Sequence, residues 1–107
     1  MSIVREADHE KIIDVPVGQS VEIHLPENRT TGFKWHLKPA ATSACTVVQD
    51  AGYVAPASPA PGAGGEHRWR VEASTPGECD IELHYRRGWE HDVAPARSFR
   101  VRVRVTK

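Results

Sequence analysis

The sequence predicts an all-β, immunoglobulin-like antiparallel β-sandwich of about seven strands, built as one domain over residues 1–107. Three observations carry this expectation. Apolar residues recur with a period of two along most of the chain. Clusters of turn-forming residues separate the alternating runs. No segment shows the 3.6-residue period of an amphipathic helix.

Taken in order, Ile12 to Val17 is a weak first strand that ends at Pro16–Val17–Gly18. In the second, Val21, Ile23 and Leu25 alternate with Glu22 and His24, and a polar connection from Pro26 to Gly32 follows. Phe33, Trp35 and Leu37 alternate with Lys34, His36 and Lys38, and Thr46 to Val48 is a second weak strand. Ala51 to Gly65, rich in Pro and Gly, reads as a long loop. Trp69, Val71 and Ala73 then alternate with Arg70 and Glu72 as far as the turn Thr75–Pro76–Gly77. Ile81, Leu83 and Tyr85 alternate with Glu82, His84 and Arg86 and lead into a loop from Arg87 to Pro95. In the last strand Phe99, Val101, Val103 and Val105 oppose Arg100, Arg102 and Arg104. Each run has one face for a core and one for water. The arginine row reads as a solvated edge-strand surface that resists edge-to-edge pairing.

Composition excludes several functions. Lys plus Arg and Asp plus Glu each total 14, so the formal charge is zero, which argues against a dedicated nucleic-acid or membrane-surface binder. The longest apolar runs are only a few residues, so nothing spans a bilayer as a helix. The N-terminal MSIVREADHE lacks a basic stretch followed by an apolar run, so a cytoplasmic location is expected unless a leader has been removed. Cys45 and Cys79 show neither CxxC spacing nor a disulfide framework, and two reduced, partly buried thiols are expected. His36 and His84 fall on neighbouring strands, but two histidines are too few for a structural zinc site, so no metal and no cofactor are expected. Cys45 carries no local signature of a catalytic nucleophile, so no enzyme activity is expected.

With the strands lettered in order, the loops after the second, fourth and sixth leave a Greek-key sandwich at the same end. The first reads NRTTGFKW at residues 28–35. Asn28 and Gly32 suit a tight, ordered turn, Thr30 and Thr31 stiffen it, and Phe33 and Trp35 share one strand face as anchors. The second contains GAGG at residues 62–65; it is no phosphate cradle, because a strand and not a helix follows. The third reads YRRGWEHD. Its Trp89, flanked by Arg86, Arg87 and Glu90, has the composition of an interface hot spot, against the alternative of an indole capping the sandwich end.

Together the three loops resemble the chagasin family of cysteine peptidase inhibitors (inhibitor family I42). NRTTGFKW is similar to its NPTTG-aromatic-x-Trp motif, Gly62 to Gly65 to its GxGG loop, and Arg87–Gly88–Trp89–Glu90 to its Arg-Pro-Trp loop. The order and spacing match over essentially the whole chain. The resemblance implies a reversible inhibitor of papain-like (clan CA) cysteine peptidases that works as a monomer. It implies a peptidase-binding edge of Asn28, Arg29, Thr30, Thr31, Gly32 and Phe33, then Gly62, Ala63, Gly64 and Gly65, then Arg87, Gly88, Trp89 and Glu90. The first loop would sit over the catalytic cysteine, Gly64 and Gly65 on the non-primed side, and Arg87 with Trp89 on the primed side. Two positions depart from the family: Arg29 and Gly88 stand where it has prolines, which removes a constraint on φ in each loop. The alternative is a generic immunoglobulin-like recognition module that binds a partner protein or carbohydrate through the same loops.

Overall fold

The computed structural model describes residues 2–28, 32–38, 45–55, 64–88 and 94–107. Among them are eight strands: β1 (Ser2–Arg5), β2 (Ile12–Pro16), β3 (Ser20–Glu27), β4 (Phe33–Leu37), β5 (Thr46–Val54), β6 (Gly65–Ala73), β7 (Gly77–Arg87) and β8 (Arg97–Thr106). A single 3₁₀ turn, Glu6–Asp8, joins β1 to β2. The strands form two four-stranded sheets, one ordered β1-β3-β6-β5 and the other β2-β8-β7-β4.

The period of two translates directly into the core. Val21, Ile23 and Leu25 from β3 and Trp69, Val71 and Ala73 from β6 face Trp35 from β4, Ile81 and Leu83 from β7, and the four apolar residues of β8. Phe99, Val101, Val103 and Val105 are all nearly inaccessible, whereas every intervening residue is exposed. Burying side chains of this size contributes about 1.5–3 kcal/mol each.

Five details differ from expectation. The sandwich is not wholly antiparallel: β1 runs parallel to β3 (Val4 opposite Ile23), and β2 runs parallel to β8 (Val15 opposite Val105). β1 adds an eighth strand that a run of four residues is too short to announce by alternation, although its Val4 is buried. The long loop after Thr46 to Val48 is shorter than expected. β5 continues to Val54 through a register shift between Asp50 and Gly52, where Gly52 takes φ 94° and donates its N–H to Asp50 Oδ1 at 2.8 Å. The bulge inserts an extra residue and breaks the alternation that would have revealed the strand.

Nor is β8 an edge: it lies between β2 and β7, so its arginines meet acids on both neighbours. Arg104 bonds Asp14 at 2.5 Å, Arg102 bonds Asp80 at 2.9 Å, and Arg97 pairs with Glu6. Hydrogen bonding to their arginines holds the Asp14 and Asp80 carboxyls below the ordinary value of 3.8. Finally, Cys45 and Cys79 are bonded to each other, with Cα atoms 6.1 Å apart, rather than being free thiols. The pairing depends on the approach of two strands from different sheets, which spacing along the chain does not reveal.

Replacing both cysteines by alanine should destabilise the domain by about 3–4 kcal/mol in urea unfolding, the chain-entropy value for a closed loop of this length. The depressed Asp14 and Asp80 values give stability that is present above pH 4 and is lost as pH falls through the lower folded values. The fall in Tm between pH 5 and pH 2 should therefore be shallower in Arg102→Met/Arg104→Met than in the parent chain.

Candidate functional site

Three connections leave the sandwich where β3, β5 and β7 end: loop 1 between Glu27 and Phe33, loop 2 between Val54 and Gly65, and loop 3 between Arg87 and Arg97. Their roots adjoin. Glu27 at the end of β3 pairs with Gly65 at the start of β6, which sets the exit of loop 1 beside the return of loop 2. Phe33 at the start of β4 pairs with Arg87 at the end of β7, which sets the return of loop 1 beside the exit of loop 3. The Asn28 N–H donates to the Tyr85 hydroxyl at 3.3 Å and so ties the first root to the sheet carrying the third.

Local chemistry explains why these residues hold these positions. Gly32 has φ 81°, a left-handed conformation that glycine adopts without strain, just before β4. A Cβ on Gly65 would overlap the Val54 carbonyl oxygen and come within 2.6 Å of the Tyr53 hydroxyl, which accepts the Gly65 N–H at 3.1 Å. A Cβ on Gly64 would lie 3.3 Å from the Glu27 carbonyl oxygen and 3.4 Å from Asn28 Cβ. At this point the glycines allow the protein's own strands and loops to close on one another. Trp35 is buried as expected. Phe33 stays half-buried on the same face, stacked on Tyr85 with centroids 5.4 Å apart and covered by the Arg87 guanidinium at 4.5 Å.

Of the expected peptidase-binding residues, Asn28, Gly32, Phe33, Gly64, Gly65, Arg87 and Gly88 are therefore gathered at one end of the sandwich. Arg29, Thr30, Thr31, Gly62, Ala63, Trp89 and Glu90 lie outside the described residues.

Beneath the roots runs a polar floor that sequence reasoning missed. Glu27 is buried, and its Oε2 accepts the Trp35 N–H at 3.0 Å and lies 2.9 Å from His67 Nδ1. The other ring nitrogen of His67 is 2.7 Å from Asp50 Oδ1, and the ring stacks on Trp69 at 4.1 Å. Trp35 Nε1–H donates to the Pro26 carbonyl at 2.9 Å. Parity was the available signal: Glu27 continues the inward series Val21, Ile23, Leu25, and His67 begins the series Trp69, Val71, Ala73. His36 and His84 do face each other across β4 and β7, both half-buried. His84 bonds Glu82 at 2.5 Å, and burial followed by the charge of Arg86 holds His36 below its usual value. Among the described residues no group of three or more His, Cys, Asp or Glu is placed to hold a metal.

Loops rooted side by side on one end of a two-sheet sandwich form an edge of the kind that loop-presenting recognition proteins use. Residues 14–103 match the model of the chagasin family peptidase inhibitor I42, and the chain belongs to that family, one of inhibitors and not of enzymes. It is 34% identical over 90 residues to chagasin from Trypanosoma cruzi, covering 80% of this chain and 81% of that protein. The fold matches the cysteine protease inhibitor EhICP2 from Entamoeba histolytica with a TM-score of 0.75 at 22% identity, covering 97% of this chain and 93% of that one. It matches PbICP-C, solved in complex with falcipain-2, with a TM-score of 0.63 at 18% identity over 91% and 88% of the two chains.

Gly65→Ala should cost about 1–3 kcal/mol through overpacking against Val54 and Tyr53, read as a lower urea midpoint with an unchanged m-value.

Proposed function

We propose that the chain is a reversible, competitive inhibitor of papain-like cysteine peptidases, and that it occludes the active-site cleft with loops 1, 2 and 3. The observation that carries this reading is the convergence of the three motif-bearing roots through the Glu27–Gly65 and Phe33–Arg87 pairings, in a chain of the I42 family. The complex of PbICP-C with falcipain-2 supports the class of partner.

The chemistry follows from what the cleft demands. A peptidase cuts a peptide that lies extended with its carbonyl aimed at the nucleophile, so an inhibitor must fill the groove while denying that geometry. A loop held by its own fold before binding loses little entropy on docking. Loop 1 takes the centre with Asn28, Arg29, Thr30, Thr31 and Gly32, the Gly62 to Gly65 segment takes the non-primed wall, and Arg87 to Glu90 take the primed wall. Three such loops bury a total of about 1,600 Å², a standard-size interface. Arg29 and Gly88 make their loops less constrained than proline would, a difference of about 1 kcal/mol at each position.

Where the inhibitor works is tied to Cys45 and Cys79. A cytoplasmic chain would carry them as thiols and an oxidising compartment as the bridge, so a thiol count on protein from its native setting tests the cytoplasmic location.

Titration of papain with the pure chain tests the reading directly: tight, reversible, competitive inhibition is expected. Inactivity against papain and several related enzymes would favour a general recognition module. Trp89→Ala should weaken inhibition by about 2 kcal/mol or more, whereas a loss below about tenfold would assign the indole to capping the sandwich. Thr31→Ala should raise the inhibition constant and leave Tm nearly unchanged.

A further inference from the structure

The roots of loops 1 and 2 stand on a line of polar groups that crosses the sandwich. We propose that Glu27, His67 and Asp50 form a positioning relay that fixes the spacing of these two roots, and through it their fit to a peptidase groove. The second half of this proposal rests on the inhibitory reading above.

Loop 1 joins β3 of one sheet to β4 of the other, so no ladder of backbone hydrogen bonds sets the distance between its two ends. Glu27 helps to set it, beside the bond from Trp35 Nε1–H to the Pro26 carbonyl. Its carboxylate, at the end of β3, takes the N–H of Trp35, eight residues further on and in the opposite sheet. The same Oε2 meets His67 Nδ1 on β6, the strand that receives loop 2. His67 Nε2 in turn meets Asp50 on β5, the strand that launches loop 2. One chain of contacts therefore touches both stems of both loops.

Each member is held from a second side. The His67 ring lies flat on Trp69, with an interplanar angle of 8°. Asp50 Oδ1 also accepts the Gly52 N–H of the β5 bulge, which fixes the outer end of the relay. The inner end is fully buried and the Asp50 side chain is 60% exposed, so the relay runs from solvent to the floor of loop 1. Stability alone does not call for such a device, because well-packed apolar groups in place of buried ionic ones are often neutral or stabilising. Directional hydrogen bonds add a fixed distance and orientation, which apolar packing supplies less sharply.

The experiment uses the full chain, papain as probe and amide hydrogen exchange. His67→Phe keeps the stack on Trp69 but takes the ring nitrogens away from Glu27 and Asp50, so both Tm and inhibition should fall. Glu27→Gln/His67→Phe replaces the buried carboxyl by a neutral amide and leaves an acceptor for the Trp35 N–H. Its Tm should recover towards the parent value while its inhibition constant stays raised by about tenfold or more. Recovery of inhibition in step with Tm would reduce the relay to packing and overturn the proposal. Asp50→Ala, at the exposed end, should speed exchange at the Trp35 amide, to which His67 and Glu27 connect it, by about tenfold. Unchanged exchange would overturn the relay whether or not the chain inhibits papain. Accelerated exchange in a chain whose parent does not inhibit papain would instead fault the inhibitory reading and, with it, the relay's role in binding.

Discussion

A carboxylate taken out of water has to be met by donors, and the burial of Glu27 imposes that demand at the point where the chain leaves one sheet for the other. A backbone amide of β4 donates to it and an imidazole nitrogen of β6 lies 2.9 Å away, so one side chain draws three strands to fixed separations. Much of the loop end depends on this. Gly65 can lie against Tyr53 and Val54 because β6 is held in register with β5, and Asn28 reaches the Tyr85 hydroxyl because β4 and β7 are held beneath it.

The side-by-side placement of the loop roots is thus a property of strand ends. Register determines which residues emerge side by side: Glu27 beside Gly65, Phe33 beside Arg87. A shift of one residue in either pairing would turn the inward series over and separate the roots. Arg87 illustrates how local contacts then finish the surface. Its guanidinium lies over the Phe33 ring, which stacks on Tyr85, so a charged group at the base of loop 3 rests on aromatic faces.

What could be read in the sequence and what could not follows from the range of each signal. The inward residues of β3, β6, β7 and β8 were visible because alternation needs only neighbours in the chain. β5 was half-visible: Thr46 to Val48 read as a weak strand, but the bulge at Gly52 shifts the phase and conceals the rest. β1 was invisible because it becomes a strand only by lying parallel to β3. The edge position assigned to the arginine strand failed for the same reason, since the acids that flank it come from β2 and β7. The expectation that the motif-bearing segments share an end agrees with the placement of the described roots. The polar floor was legible in parity alone, yet a Glu and a His in apolar series look like strand ends until their partner strands are known.

The Cys45–Cys79 bridge sits at the other pole. Cys79 lies near the start of β7 and pairs with Val103, whereas Arg87 at the far end of β7 roots loop 3. The covalent cross-link therefore secures the sandwich where no loop motif lies and leaves the motif-bearing pole free of sulfur chemistry. Such a division lets the loop segments vary in sequence without eroding the anchorage that keeps the scaffold folded.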